Sequence, residues 1–202
     1  QALANSASFS CTVNNATTWR EIDGGNTILP NRVIAGVAVA PDDHRVVYAA
    51  VGGFDENTPA TPGHIFRAVW NGSAFSIQNK TGNLPNVPAQ AVAVNPYNPS
   101  QVFLGTFFGF FYTDDITVAS PTWVRYMDGL PNTPIFHFSL DRGPQSDPLK
   151  STTLAAFTYG RGTYAIKLPG QGESFCQSKP LAPTGVAASS PAANQGQVTW
   201  ND

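Results

Sequence analysis

The chain has 202 residues, 42% of them hydrophobic and only 12% charged, and its formal net charge is −2. The charged share is about half the usual quarter. No cluster of Lys or Arg is present to make a nucleic-acid footprint, and the longest apolar run, Val33 to Ala40, falls far short of the ~20 residues of a membrane-spanning helix.

In chain order, residues 1–17 form an N-terminal segment with Cys11 and an N-x-T triplet at Asn15. "TTWREID" (17–23) reads as the outer strand of a unit that begins earlier. After Leu29 and Pro30 come four strand-like segments: "RVIAGVAVAPDD" (32–43), "RVVYAAVGG" (45–53), "GHIFRAVW" (63–70) and "AFSIQNK" (74–80). After Leu84 and Pro85 the series repeats as "AQAVAVNPYN" (89–98), "QVFLGTFFG" (101–109), "GFFYTDD" (109–115) and "TWVRYMD" (122–128). After Leu130 and Pro131 it repeats again as "PIFHFSLDRG" (134–143), "TTLAAFTYG" (152–160) and "GRGTYAIKL" (160–168). The Leu-Pro landmarks recur 55 and then 46 residues apart, and the ends of the small-residue strands, at Pro41, Pro96 and Arg142, keep the same intervals.

Each segment is rich in β-branched or aromatic residues and bounded by Gly, Pro, Asn or Asp, and none carries a capped 3.6-residue stripe. A four-stranded unit repeating every ~40–50 residues is the pattern of a β-propeller blade. A lone four-stranded sheet cannot bury both of its faces, whereas sheets stacked face to face bury them against each other. The expected fold is therefore all-β: part of a β-propeller of about three four-stranded blades over residues 18–170. Propellers close with about four to eight blades, so the remaining blades are expected from a larger chain or from a homo-oligomeric partner. The chain begins at Gln1 rather than Met, which reads as a processed or cut piece of a longer product. A polar surface low in charge suits a secreted, extracellular protein.

The stretch "NLPNVPAQAVAVNPYNPSQVFLGTFFGFFYTDD…PTWVRYMDGLP" resembles the sialidase-like propellers with Asp-box (BNR) repeats, including the sortilin-like and xyloglucanase-like ones. Asn95, Pro96, Asn98, Pro99, Val102, Phe103, Gly105 and Thr106 match the first part of the family pattern. The second part is degraded here to Thr113, Asp114 and Asp115, with Thr122 and Trp123 after an insertion. "FTYGRGTYAIKLP" is similar to the terminal-blade motif of secreted members. The resemblance covers roughly residues 18–168 and implies the propeller fold. It does not fix activity, because such propellers host glycosidases, receptors and adhesins alike. After a linker (171–182), residues 183–202 with "PTGV" and "VTW" resemble the start of a fibronectin type III domain. They supply two strands, the stub of an immunoglobulin-like sandwich that needs about seven.

Gly63, Gly109 and Gly160 recur where a second strand turns into a third, a place that wants the positive φ that glycine adopts freely. Arg161, beside Gly160, reads first as a structural arginine bonding carbonyls and second as a grip for an anion. The remaining arginines are scattered over strands and loops and assemble no sialidase triad. A glycosidase needs two carboxylates about 5 to 9.5 Å apart, but most acidic residues here sit in turn contexts such as "PDDH" and "TDDI", where Asp bonds its own backbone.

Asp55 and Glu56 are the exception, because they lie in the long insertion "GGFDENTPATPGH" (52–64), and scaffolded long loops carry function. With Phe107 and Phe108, Tyr159 and Arg161 they form the candidate ligand-binding set. "TFFGFFY" reads as inter-blade core before it reads as a sugar platform. No histidine or cysteine has metal-ligand spacing, so no cofactor is expected, with a single Ca²⁺ on blade loops left open. Cys11 and Cys176 either pair in an oxidising compartment, stay free, or pair elsewhere. Asn15, Asn71 and Asn79 stand in glycan-acceptor triplets. Two functions follow: a non-catalytic binding or structural role toward glycan or extracellular protein surfaces, or an extracellular sialidase- or xyloglucanase-like glycoside hydrolase with its catalytic carboxylates largely outside this segment.

Overall fold

The computed structural model describes residues 27–141, 152–168, 184–192 and 195–201. Every regular element among them is a strand, apart from one 3₁₀ turn at Asp55–Asn57. The protein is all-β. Strands β1 (Ile34–Val39), β2 (Val46–Val51), β3 (Ile65–Trp70) and β4 (Phe75–Asn79) form one antiparallel sheet in chain order. Strands β5 (Ala89–Val94), β6 (Val102–Thr106), β7 (Gly109–Thr113) and β8 (Val124–Tyr126) form a second. Strands β9 (Ile135–Asp141), β10 (Thr153–Thr158) and β11 (Thr163–Lys167) form a third, with the three strands that the third series of segments predicts.

The chain divides into two compact units, residues 1–172 and 173–202. The second is described as one antiparallel pair, β12 (Thr184–Ala192) with β13 (Gln195–Asn201). The strand expected at 17–23 and the sites at Cys11, Asn15 and Cys176 lie outside the described residues.

Small residues explain how the three sheets stack. The innermost strand β1 lies against β5, and β5 against β9. A Cβ on Gly36 would sit 3.0 Å from the Ala91 Cα and 3.0 Å from the Gln90 carbonyl oxygen. A Cβ on Gly105 would sit 2.8 Å from the Ile135 Cγ2. Either strand can come this close only because the residue beneath has no side chain. Between the first two sheets Tyr48, Ala50 and Ile65 meet Val92, Val94, Leu104 and Phe111, all buried. Each such large apolar side chain contributes about 1.5–3 kcal/mol on burial. Phe110 on the opposite face of the second sheet meets Phe138 edge-on, with centroids 5.5 Å apart. Among the described residues the sheets stack in series and do not close into a ring.

The segment around Trp123 latches the first sheet to the second. Trp123 is buried, and its Nε1 donates to the Lys80 carbonyl at 3.0 Å. Its backbone N–H donates to the Asn83 side chain, whose own Nδ2 donates back to the Trp123 carbonyl at 3.1 Å. Lys80, also buried, sends its Nζ to the Val118 carbonyl at 2.7 Å and the Thr117 carbonyl at 3.3 Å. A buried ammonium needs such partners, and burial lowers its pKa from the ordinary lysine value.

Candidate functional site

One end of the unit gathers most of the residues singled out by sequence. In each sheet the residue after the second strand donates its N–H to the carbonyl of the residue before the first strand. These bonds are Gly52 to Val33 at 2.8 Å, Phe107 to Pro88 at 3.1 Å and Tyr159 to Pro134 at 2.9 Å. The second-to-third-strand turns therefore lie beside the entries of the innermost strands in all three sheets.

At each of these entries the innermost strand carries a bulge. Pairing skips from Ile34 to Gly36, from Ala89 to Ala91, and from Ile135 to His137. A bulge leaves one residue unpaired and re-aims its side chain. The bulged residues are Ala35, Gln90 and Phe136, and all three line one cleft of about 310 Å³ between the innermost strands. Gly36, Val92, His137 and Phe138 line it too, and no Asp or Glu does.

Phe136 links the cleft to the turn tips. Its ring meets Phe107 at 6.0 Å and Tyr159 at 5.8 Å, each at 78°. The three are exposed by 44%, 39% and 71% respectively, so this edge-to-face row is a surface feature. The expectation that "TFFGFFY" is core is thus divided. Phe110 and Phe111 are buried, whereas Phe107 and Phe108 stand exposed. Phe107 joins the row, and Phe108 shares its turn without a ring partner among the described residues.

Arg161 sits at the tip between β10 and β11, exposed, flanked by Gly160 and Gly162 with φ of 70° and 84°. Its expected bonds to carbonyls are not found among the described residues. The turn glycines behave as expected in having positive φ at Gly63, Gly109 and Gly160, but the true counterpart of Gly109 is Gly162. Thr106 Oγ1 donates to the Gly109 carbonyl, and Thr158 Oγ1 to the Gly162 carbonyl. The last turn is longer by one residue, and Arg161 lies exposed within it.

Asp55 and Glu56 belong to a separate, closely bonded network. Buried Arg32 donates to the carbonyls of Gly53 and Gly63, the two ends of the inserted loop, and to Asp55 Oδ1 at 3.1 Å. Asp55 Oδ1 also accepts the Gly63 N–H at 2.8 Å. Asn86, leading into β5, accepts the Asp55 N–H at 3.0 Å and donates Nδ2 to both Glu56 oxygens at 3.0 Å. His64 Nε2, buried, donates to Asn86 Oδ1 at 3.1 Å and lies 3.6 Å from Asp55. Burial lowers the His64 pKa below its ordinary value, against the raising pull of Asp55. Burial likewise lowers that of Arg32, with Asp55 opposing. A hydrogen bond to its own backbone, then those from Asn86, hold the Glu56 carboxyl below the usual range. This is the geometry of a loop clasp, with both carboxylates already engaged.

Among the described residues no group of three or more His, Cys, Asp or Glu side chains comes together to hold a metal ion. Asn71 is exposed in a turn that uses only its Oδ1, while the Asn79 Nδ2 is occupied by the Pro62 carbonyl at 2.8 Å. No helix among the described residues is long and apolar enough to cross a membrane.

Sequence reading missed Phe136, Gln90, Arg32 and Asn86. Period-two alternation puts Phe136 and Phe138 on one face, and only a bulge separates them. The visible signal was the lone polar Gln90 within "AQAVAV".

No protein-family model matches this chain, and no curated protein does. Among solved structures, an ancestral GH74 enzyme aligns at 13% identity with a TM-score of 0.42, over 96% of this chain and 36% of that one. The chain thus spans about a third of that enzyme's length. At this level of likeness neither fold nor activity transfers from that enzyme.

Proposed function

We propose that the three sheets are consecutive blades of a secreted β-propeller that acts on polysaccharide, as a glycoside hydrolase, and that this chain supplies sugar-gripping surface rather than the reacting carboxylates. The observation that carries this reading is the exposed Phe107–Phe136–Tyr159 row at the rim of the cleft between the innermost strands. Exposed aromatic rings beside a concave site with a few polar groups are what a ligand surface requires. A pyranose with equatorial hydroxyls offers such rings an apolar C–H face. No Asp or Glu lines the cleft, and Asp55 and Glu56 are bound into the clasp, so the two carboxylates that hydrolysis needs are assigned to other blades. Asn71 is the better placed of the two described glycan acceptors in this reading.

A second reading, a purely binding propeller, is favoured by the absence of Asp and Glu among the residues lining the cleft. Calorimetric titration of the full chain with cellohexaose and maltohexaose, together with a reducing-sugar assay on xyloglucan, tests both. Binding of cellohexaose without release of reducing ends is the expected result. Release of reducing ends by this chain alone would overturn the assignment of the carboxylates elsewhere, and no saccharide binding at millimolar concentration would overturn both readings.

A further inference from the structure

The bulge repeated in β1, β5 and β9 places three different side chains at equivalent points on the cleft: the methyl of Ala35, the amide of Gln90 and the ring of Phe136. Strands keep a bulge when it re-aims a side chain, and here it does so three times at one site. Among the described residues the Gln90 amide has no hydrogen-bonding partner, although the strand around it is buried on either side. It rests beside Gly52, where an added Cβ would come 3.4 Å from its Nε2. Ala35 and Gly36, which carry little or no side chain, line the same cleft.

We infer that Gln90 is a specificity-determining residue that reads the hydroxyl edge of a pyranose ring whose face is taken by Phe136. This rests on the proposed saccharide-binding reading and adds to it the group that tells one sugar from another. A primary amide carries one acceptor oxygen and two N–H donors. It therefore matches two neighbouring equatorial hydroxyls, each able to donate and accept. An aromatic face cannot tell an equatorial hydroxyl from an axial one at the ring edge, whereas an amide placed at that edge can. A site that hydrogen-bonds a hydroxyl also leaves its own polar group unpaired when the hydroxyl is misplaced.

The test compares cellohexaose with β-mannohexaose, which differ in the orientation of one hydroxyl on each ring, by calorimetric titration of the full chain. The unsubstituted chain is expected to prefer cellohexaose by roughly tenfold, the worth of about one hydrogen bond. Gln90→Met keeps the length and removes the amide, so it should bring the two affinities together. Phe136→Ala should weaken both while keeping their ratio. Gln90→Glu, which replaces the donors by acceptors, gives the same collapse of preference and serves if the methionine variant melts early. A preference that survives both Gln90 substitutions, while Phe136→Ala abolishes binding, would overturn the role of Gln90 and leave the saccharide reading standing. Failure of the unsubstituted chain to bind either probe would overturn both.

Discussion

His137 on β9 stands directly across from Phe157 on β10, their rings 5.8 Å apart, at the point where the first two sheets carry the cross-strand pairs Gly36–Ala50 and Ala91–Gly105. In the earlier sheets the small pair lets the next innermost strand lie almost on the backbone. In the third sheet the aromatic pair fills that space, and Phe157 is 42% exposed. The third sheet therefore presents an aromatic pair where the first two present small residues.

Gly105 and Phe157 should accordingly respond in opposite ways. Gly105→Val should destabilise by about 1–3 kcal/mol, because its side chain would be driven into Ile135. Phe157→Ala should change stability by less than about 1 kcal/mol, as a half-exposed side chain outside the core. Urea denaturation of both variants checks this, and equal losses would show that the two positions are not packed differently.

Breaking the loop clasp should be costly. Arg32→Met removes the donor to the Gly53 and Gly63 carbonyls and strands Asp55, which retains only its backbone donor and the His64 contact. A loss of about 2–3 kcal/mol is expected, below the full cost of a broken buried pair because Asp55 is partly solvated. The loop 52–64 should at the same time become the preferred site of limited proteolysis. A variant that melts like the parent would mean that the clasp contributes nothing net.

His64 should give the fold an acid sensitivity of its own. Its pKa is lowered on folding from 6.5, so the unfolded chain takes up the proton more readily. The stability that neutral His64 contributes is complete above about pH 6.5 and falls as the pH drops below it. The geometry agrees: Nε2 is spent on Asn86, and Nδ1 has no well-aligned acceptor among the described residues. The Glu56 carboxyl, lowered from 4.5, adds a loss in the same direction only at more acid pH. Thermal melts from pH 7.5 to 5.5 should show a decline that His64→Gln flattens, and an unchanged slope in the variant would remove His64 as its cause.

Much of this architecture was legible in the residues. The Leu-Pro register and the small-residue strands located all eleven strands of the first unit within a few residues, because β-branched runs bounded by Gly, Pro and Asn leave little else for the backbone to do. β8 is shorter than expected, three residues from Val124 to Tyr126, since the insertion around Thr117 and Val118 is held by Lys80 instead of extending the ladder. The site was legible only in part. Phe107 and Tyr159 were visible as aromatic residues at turn tips, but Phe136, which joins them, was hidden. A bulge changes which face a residue takes without leaving a mark on alternation. Asp55 and Glu56 drew attention by lying in a long loop, yet their partners Arg32 and Asn86 are distant in sequence and come together only through the stacking of two sheets.

The central claim is that the rim formed by Phe107, Phe136 and Tyr159 receives sugar. Its most direct test is an NMR titration of the isotope-labelled full chain with cellohexaose. The account predicts that signals of Phe107, Gln90, Phe136 and Tyr159 shift together along one saturating curve, while those of Asp55 and Glu56 stay still. Shifts centred on the 52–64 loop, or none at any concentration reached, would contradict it.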